Sequence, residues 1–421
     1  MRPPELVAEV LEDALVGSPG RFTRELLADV WGDHHAQGRV LRAFREARWI
    51  GSARRRPVRE LFFAVVRSSR WLEGALRAGG WSGERRVEAL WTRMIVACGL
   101  PSSRAAEVFG EDVFGAECVL PEGRRERLAL QGSLPEWFVD DLEDLDVAER
   151  FVSALDDRAP LTLRCNAPVE EVLAELRASG LAVQRTRFAL YGLVVAGRTA
   201  LGDHDAWRQG RVEVQDEGSQ LVAELVKPPR RSRVVDLCAG AGGKSLAVLA
   251  RAPRGVRVEA LDVRSSALKQ ARSRARRAGV ELATRRIDPA APIDVRPAAR
   301  VLVDAPCTGS GTLRRNPMLR WRLSPPWRDG QVALQRDLLR RAAAIVRPGG
   351  RLIYATCSVL RPENQDQVED FLAAHPGFSV VPIAEPLGSA RAADLGGPYL
   401  QLESGVHGTD GFFAAVLQRG G

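Results

Sequence analysis

Val301-Leu-Val-Asp-Ala-Pro-Cys-Thr-Gly-Ser-Gly311 begins as an apolar run and ends in a carboxylate, a thiol and small residues. Such a run is expected for a strand that is buried on both faces of a parallel sheet. A second run further along, Arg351-Leu-Ile-Tyr-Ala-Thr-Cys-Ser358, has the same form. Ligands of open α/β sheets bind at the carboxyl ends of the strands. We therefore expect Asp304, Cys307 and Cys357 to face one pocket.

The region around this stretch alternates between strand-like and helix-like segments from about residue 212, which predicts a mainly parallel, doubly wound α/β sheet. The predicted strands are residues 234–237, 256–261, 282–287, 300–303 and 351–355, with late edge strands at 378–381 and 412–417. Helices are predicted at 265–278 and 331–346.

The residues before this sheet predict two further domains. Apolar residues recur at helical spacing through 1–110, which indicates an all-α region. Residues 160–200 combine strand-like runs with an amphipathic helix, which indicates a small α+β unit after an acidic connector. We expect a helical domain at 1–130, a small α+β, RNA-binding-like domain with its connector at 131–210, and the large α/β domain at 211–421.

The composition is typical of a soluble globular chain, with 421 residues of which 45% are hydrophobic and 27% charged. No apolar run is long enough to span a membrane, and the start Met-Arg-Pro-Pro-Glu-Leu lacks the apolar core of a signal peptide. Six scattered cysteines without a Cys-x-x-Cys pair predict free thiols in a reducing, cytoplasmic setting. We expect no membrane contact, no metal and a monomer.

The charge is uneven along the chain. Residues 1–150 carry a net charge of −3 and residues 151–421 a net charge of +11, which suggests a polyanionic partner such as RNA. A GC-rich genome would also produce the observed 58 arginines against three lysines, so the charge alone leaves nucleic-acid binding open. Likewise, the arginines around Trp49 fit either an RNA-facing patch or a solvated helix face.

Asp236-Leu-Cys-Ala-Gly-Ala-Gly-Gly-Lys-Ser245 follows the first strand and opens a helix. Glycines let the backbone approach a ligand, and a helix amino terminus favours polar or anionic groups. A nucleoside-triphosphate P-loop would need glycine at Cys238, and a dinucleotide loop would need glycine at Ser245. A nucleoside-type ligand without a pyrophosphate fits the loop better than either.

Polar residues around this loop extend the predicted site. Asp262 ends the second strand and is placed to bind ribose hydroxyls, and Asp288 ends the third and could reach an adenine edge. Each could instead cap a helix or a turn. Lys244 stands in a chain that otherwise uses arginine, which suggests that a compact ammonium is needed there.

The cysteines divide into two groups. Four fit small buried hydrophobic residues: Cys98, Cys118, Cys165 and, largely, Cys238. Cys307 and Cys357 stand at strand ends, where a thiol near helix termini and arginines can be activated as a thiolate. A neighbouring aspartate that is kept protonated, such as Asp304, could donate a hydrogen bond.

These motifs together resemble the RNA cytosine-C5 methyltransferases of the Fmu/Sun/NOP2 type. The matching segments are 215–220, 236–244, 304–311, 314–317, 354–358 and 410–415. The resemblance covers about residues 130–421. The order of domains is similar to that of the bacterial type B methyltransferases of small-subunit ribosomal RNA, whose amino-terminal part resembles the antitermination factor NusB. Residues 59–67 echo that part.

The resemblance implies a Rossmann-like methyltransferase sheet, preceded by a NusB-like all-α domain, and S-adenosylmethionine as the cofactor. The implied cofactor-binding residues are Cys238, Ala239, Gly240, Ala241, Gly242, Gly243, Lys244, Asp262, Asp288 and Asp304. The family usually has proline at the position of Ala241, so the loop of this chain is less stiff.

The resemblance also implies catalytic roles. Cys357 is the nucleophile at cytosine C6, Asp304 holds the base at N3, and Cys307 assists removal of the C5 proton and release of the enzyme. We count Lys244 with this group. The predicted reaction is methylation of C5 of a cytosine in RNA, with small-subunit ribosomal RNA as the expected substrate.

Two alternatives stay open. A non-catalytic RNA-binding or ribosome-assembly protein would need neither the two thiols nor Asp304 and Lys244. A DNA cytosine-C5 methyltransferase would use Cys307 as its nucleophile and leave Cys357 surplus.

The segment after the Pro-Cys loop is basic and carries aromatic residues. These are Arg314, Arg315, Arg320, Trp321, Arg322 and Trp327. We expect the arginines to contact phosphates of RNA and a tryptophan to stack on a base. The alternative is that the tryptophans are core residues and the arginines are solvated.

Overall fold

A computed structural model describes residues 6–78, 86–110, 120–197 and 199–421, so that Cys118 lies outside the described residues. The described chain forms two compact units. The first contains the residues up to Asp157 together with Leu313–Trp327, and the second contains Arg158–Thr312 and Arg328–Gly421.

The first unit is helical, as predicted. Its helices are α1 (Ala8–Val16), α2 (Ser18–Val30), α3 (Gln37–Glu46), α4 (Gly51–Arg67), α5 (Ser69–Ala78), α6 (Arg86–Ala97), α7 (Ser102–Phe109), α8 (Arg124–Gln131), α9 (Glu136–Asp140) and α10 (Leu145–Ala154). The apolar faces of α1–α7 meet in one core, in which the side chains of Phe44, Phe62 and Trp91 are fully buried. The likeness of this unit to NusB stays a prediction.

The connector helices α8–α10 belong to the first unit, whereas the sequence predicted a boundary at residue 130. Phe138 of α9 stacks on Phe151 of α10 with ring centroids 5.7 Å apart. The Ser133 hydroxyl accepts a hydrogen bond from the backbone N–H of Arg70 at 2.8 Å. Helices of this length need helical partners to bury their apolar side chains: α8 packs against α5, and α9 and α10 pack against α8.

Leu313–Trp327 also joins the first unit, so the predicted domain 211–421 is interrupted. Met318 is fully buried in the helical core, and the ring of Trp321 lies 5.2 Å from that of Trp31. Arg320 is 2% exposed and donates a hydrogen bond to the carbonyl of Gly132. The prediction that this segment faces RNA is therefore wrong for Arg320, whose guanidinium is a buried packing group.

The second unit begins with the predicted α+β element. Its strands are β1 (Leu161–Cys165), β2 (Val183–Arg185), β3 (Gly192–Val195) and β4 (Val212–Val214), and its helices are α11 (Val169–Ala178) and α12 (Asp205–Arg208). The strands form an antiparallel sheet in the order β2-β3-β1-β4.

A larger sheet fills the rest of this unit. Its strands are β5 (Arg233–Asp236), β6 (Arg257–Asp262), β7 (Ala283–Arg286), β8 (Ala298–Asp304), β9 (Val346–Thr356), β10 (Phe378–Val381), β11 (Leu400–Leu402) and β12 (Phe412–Arg419). The helices are α13 (Glu217–Val226), α14 (Gly243–Arg251), α15 (Ser265–Arg277), α16 (Pro325–Ile345), α17 (Gln365–Ala374), α18 (Ala384–Leu387), α19 (Ser389–Ala392) and α20 (Ser404–His407). The first three residues of α16 belong to the first unit and the remainder to the second.

The order of this sheet is β10-β12-β9-β8-β5-β6-β7, with β11 paired to β12. Strands β5 to β9 are parallel, and the three late strands pair antiparallel. The prediction of a doubly wound, Rossmann-like α/β sheet is confirmed. After β7 the chain crosses back to place β8 on the other side of β5, so the strand order reverses between β5 and β8. A crevice at the carboxyl ends of the strands, beside this reversal, is where such sheets bind ligands.

Candidate functional site

A cleft of about 700 Å³ opens at the carboxyl ends of β5, β6 and β8. Its polar lining includes Lys244, Asp262 and Asp304, and its apolar lining includes Ile287 and Leu338. A cleft of this volume, with apolar walls and a few convergent polar groups, is typical of a small-molecule site.

The glycine loop between β5 and α14 forms one wall of the cleft. Gly240 and Gly242 have φ angles of 55° and 77°, in the left-handed region that favours glycine. A Cβ atom on Gly242 would also lie 2.9 Å from the Cβ of Ala271 in α15. The backbone N–H of Gly240 donates to the Asp262 carboxylate at 2.7 Å. The loop is thus held against the end of β6 at close range.

Asp262 lies where the sequence placed it, at the end of β6 and in the cleft lining. Asp262 is 4% exposed, and its carboxylate also accepts from the backbone N–H and the guanidinium of Arg264. Burial alone would raise the pKa of Asp262, but the bonds from Arg264 and Gly240 outweigh it and lower that pKa. Asp262 is therefore an ionised acceptor at the mouth of the loop.

Lys244 and Asp304 form an ion pair, with Nζ 2.6 Å from Oδ2. Burial would lower the pKa of Lys244, but the attraction and hydrogen bond of Asp304 raise it above its ordinary value. The ammonium also lies 5.3 Å from the centre of the Phe412 ring. Asp304 is thus an acceptor from an ammonium, whereas the sequence suggested a protonated, donating Asp304.

The other predicted cofactor residues are not all brought together. Cys238, Ala239, Gly240, Ala241 and Gly243 line the cleft, but Gly242 and Asp288 are not part of its lining. Asp288 is exposed, and its carboxylate accepts from the backbone N–H of Ala290 at 2.8 Å, as a turn cap does. Burial raises the pKa of the Cys238 thiol, which favours an inert side chain there.

The two strand-end thiols lie side by side, but neither Cys307 nor Cys357 is part of the lining of the cleft that contains Asp304, where the sequence predicted one shared pocket. The Sγ atoms of Cys307 and Cys357 are 3.4 Å apart, and both residues are partly buried. The hydrogen bond with Cys357, together with burial, raises the pKa of Cys307 well above its ordinary value. The protonated form of Cys307 is therefore favoured.

Backbone contacts fix the thiols relative to the last strand. Gly311 donates to the carbonyl of Cys357 at 3.0 Å and accepts from the N–H of Gly411 at 2.9 Å. A Cβ atom at Gly311 would lie 2.1 Å from the carbonyl oxygen of Gly411, so only glycine fits there. The predicted motif at 410–415 thus packs directly against the loop that follows Cys307.

The structure adds two arginines that the sequence did not single out. Arg164 of β1 donates to the carbonyl of Gly243 at 2.7 Å, and Arg274 of α15 donates to that of Ala241 at 3.0 Å. Glu213 of β4, which is 1% exposed, pairs with Arg274. These side chains tie the glycine loop to the small antiparallel sheet. Among so many arginines, no local pattern distinguishes these two.

Two buried carboxylates were also missed. Asp236 accepts from the hydroxyl of Ser245 at 2.6 Å, and burial raises the pKa of Asp236 to about 7. Glu363, in the turn after β9, accepts from Thr308 and Ser358, the residues that follow the two cysteines. Only the fold brings Glu363 next to Thr308, since 54 residues separate them.

Comparisons with known proteins agree with this architecture. A family model described as 16S rRNA methyltransferase RsmB/F matches residues 223–418. The chain is 30% identical over 311 residues to a probable ribosomal RNA small subunit methyltransferase B of Bacillus subtilis, over 70% of this chain and 68% of that protein. It is 44% identical over 224 residues to a putative methyltransferase of Mycobacterium tuberculosis, over 50% of this chain and 47% of that protein, about half its length.

Among solved structures, the crystal structure of PH0851 matches with a TM-score of 0.75 and 25% sequence identity, over 99% of this chain and 100% of that chain. In the part of the chain that the structure describes, no helix is both long and apolar enough to cross a membrane.

Proposed function

Since the chain belongs to the 16S rRNA methyltransferase RsmB/F family, we propose that it transfers a methyl group from S-adenosylmethionine to C5 of a cytosine in small-subunit ribosomal RNA. The observation that carries this proposal is the pair of thiols 3.4 Å apart, with Cys357 close enough to Lys244 of the Lys244–Asp304 ion pair to interact with its ammonium electrostatically. Two thiols at one site suit a reaction that makes and then breaks a covalent bond to the base.

The residues of the cleft fit S-adenosylmethionine. The close glycine loop leaves room for a nucleoside, Asp262 offers an ionised acceptor to ribose hydroxyls, and Ile287 and Leu338 are apolar walls for a base. Bound there, S-adenosylmethionine would supply an electrophilic methyl group. The exposed Asp288 offers no contact in this cleft, and we leave it out of the proposed cofactor site.

In the proposed reaction, the Cys357 thiolate adds to C6 of the cytosine and forms a C6–S bond. The electrons of the C5–C6 double bond then make C5 nucleophilic, so that C5 can accept a methyl group. Asp304 and Lys244 hold the base edge. After the adduct has formed, Cys307 gives its own proton to water. The Cys307 thiolate then takes the C5 proton, the C5–C6 double bond re-forms, and the C6–S bond breaks to return the Cys357 thiolate.

The raised pKa of Cys307 supports this division of roles. While both thiols are free, the raised pKa keeps the proton on Cys307, so Cys307 is disfavoured as the attacking thiolate. Once the Cys357 sulfur is bonded to C6, the hydrogen bond that raises the Cys307 pKa is lost. Cys307 can then give its proton to water and act as the thiolate base at the stage when the C5 proton is removed.

The test is a methyl-transfer assay with purified protein, S-adenosylmethionine carrying a labelled methyl group, and small-subunit RNA, both naked and assembled in the subunit. We expect label at C5 of a cytosine, and bisulfite sequencing should find that methyl group only in cells that carry the gene. DNA of the same sequence tests the DNA-type alternative. Cofactor binding without label on any RNA would favour the non-catalytic assembly protein. A monomer acting in the cytoplasm stays a prediction.

A further inference from the structure

Glu363 is the centre of a buried hydrogen-bond network behind the two thiols. Its side chain is fully buried in the short turn Arg361–Glu363 after β9. The Oε1 atom accepts from the backbone N–H of Thr308 at 2.8 Å and from the Gln335 amide at 2.9 Å. The Oε2 atom accepts from the hydroxyls of Thr308 and Ser358, each at 2.5 Å. All four donors are neutral groups.

One oxygen of this carboxylate therefore bridges both thiol loops. Thr308 is the residue after Cys307, and Ser358 is the residue after Cys357. A third hydroxyl extends the bridge, because Ser310 lies 2.9 Å from the Ser358 hydroxyl and accepts from the backbone N–H of Val359. The Thr308 and Ser358 hydroxyls both donate to Glu363, and the Ser310 hydroxyl is within hydrogen-bond distance of the Ser358 hydroxyl.

Both oxygens of the Glu363 carboxylate accept two hydrogen bonds each, whereas the buried side-chain oxygen of Gln335 has no partner. A carboxylate without its donors would be costly to bury, and hydroxyls without the carboxylate would lose their acceptor. Each loop can therefore shift only if it breaks a buried hydrogen bond.

We propose that Glu363 is a positioning residue that sets the two thiols relative to each other, an inference that rests on the proposed function. It acts through Thr308 and Ser358 and does not touch the base. The reaction needs both thiols at one cytosine, one at C6 and the other near C5. A loop displaced by a fraction of an ångström would misplace one thiol for its step.

The main test variant is Glu363→Gln, which keeps the shape but turns one acceptor oxygen into a donor. We expect the single-turnover rate of methyl transfer to fall about 10- to 100-fold, the cost typical of misplaced reacting groups. The Kd of S-adenosylmethionine and the KM for RNA should stay within about twofold, because Asp262 and the glycine loop are outside the network. Glu217→Gln is the matched control, because Glu217 is also buried and accepts from the backbone of Phe188 and Ala189, away from the thiols.

A pair of variants at Thr308 separates the hydroxyl from the fold. Thr308→Ser keeps the bond to Glu363 and should retain the wild-type rate. Thr308→Val has the same shape without the hydroxyl and should reproduce part of the loss. This pair also decides the question if Glu363→Gln does not fold.

A second readout needs no RNA. Dibromobimane links two nearby thiols, each thiolate displacing one bromide, and peptide mass spectrometry identifies the Cys307–Cys357 product. We expect the link to form several-fold more slowly in Glu363→Gln and Thr308→Val than in Glu217→Gln and Thr308→Ser. Equal linking and transfer rates in all four variants would overturn the positioning role. A wild-type protein that links its thiols but methylates no RNA would overturn the proposed function instead.

Discussion

The cofactor end and the thiol end of the site are held by different forces. At the cofactor end, charged pairs hold the side chains, namely Lys244 with Asp304 and Asp262 with Arg264. At the thiol end, neutral hydroxyls and one buried carboxylate hold the loops. Charges act over a distance and tolerate small shifts, whereas hydrogen bonds weaken steeply when bent. The difference indicates that the cofactor end is built to balance charge and the thiol end to fix position.

The largest expected effect on activity comes from replacing the two thiols themselves, and it tests whether the thiol end of the site has the role given to it here. Cys357→Ala should form no covalent bond to RNA and should not methylate, because the nucleophile is gone. Cys307→Ala should still attack, but it should stall as a protein–RNA adduct, because the C5 proton is not removed. A denaturing gel of each variant with RNA and S-adenosylmethionine shows the adduct as a slow band.

The reverse pattern, an adduct with Cys357→Ala alone, would make Cys307 the nucleophile, as in the DNA-type mechanism. Methylation by both variants without an adduct would reduce the thiols to packing groups and leave Glu363 with nothing to position.

A smaller effect tests the charge balance at the cofactor end. Lys244→Met should lower methyl transfer roughly 100-fold, the usual cost of losing one electrostatic contact at a reacting centre. It should destabilise the fold by roughly 1–3 kcal/mol, less than for a fully buried pair, because Asp304 is partly exposed. Urea unfolding and a single-turnover assay measure the two effects.

The double variant Lys244→Met with Asp304→Asn is the control for this pair. Its stability should recover, because no unpaired charge is left, while its activity should stay low. If the double variant is as unstable as Lys244→Met, the lost stability does not come from leaving the Asp304 carboxylate without its ion-pair partner.

Asp262→Ala should weaken S-adenosylmethionine binding about 10- to 100-fold, since it removes charge-assisted hydrogen bonds. Asp288→Ala is a matched control at the end of the neighbouring strand, and its exposed turn position predicts unchanged affinity. Calorimetry on the folded variants measures both. Equal losses would return Asp288 to the cofactor site, and unchanged binding in Asp262→Ala would remove Asp262 from it.

The smallest expected effect is a pH dependence of stability. Burial raises the pKa of Asp236 to about 7, so between about pH 4 and pH 7 the folded protein binds more protons at Asp236 than the unfolded chain does. The contribution of Asp236 to the free energy of unfolding therefore falls as the pH rises through this window. Asp236→Asn should flatten that slope in urea unfolding across the window, and an unchanged slope would contradict it.

The pKa of Asp262 is shifted in the opposite direction to that of Asp236, so Asp262 serves as the control for the pH dependence of stability. Because the pKa of Asp262 is lowered in the folded protein, its stabilising contribution to the free energy of unfolding is fully present above its ordinary pKa. That contribution is lost only as the pH falls below the ordinary pKa. Asp262→Asn should therefore leave the slope between about pH 5 and pH 7 unchanged.

The sequence predicted the sheet well, because buried parallel strands are apolar runs and their ends carry the chemistry. The strand at 378–381 has the predicted bounds, and Asp262, Asp304 and the two thiols lie at strand ends as expected. These features follow from local pattern and from one rule of sheet topology.

The features of the fold and the site that the sequence did not predict depend on contacts between residues far apart in the chain. Met318 stands in a basic segment and could have packed on either unit, so nothing local assigned 313–327 to the helices. Thr308 and Ser358 have hydroxyls of an ordinary kind, and only the three-dimensional structure gives them a shared acceptor in Glu363. Asp288 follows a strand as Asp262 does, but its side chain caps a turn instead.

The passage of residues 313–327 into the first unit has a consequence for synthesis on the ribosome. The helices up to Asp157 emerge early, but Met318, which fills their core, emerges only after residues 158–312. Until residue 318 has been synthesised, the helical unit therefore has apolar surface that nothing covers. Bringing Met318 back to the helices also closes the long loop of residues 158–312, which adds an entropic cost. A chain interrupted before residue 313 would leave that surface exposed permanently and would be prone to aggregate. Translation speed through 158–312 thus sets how long the unfinished core stays open.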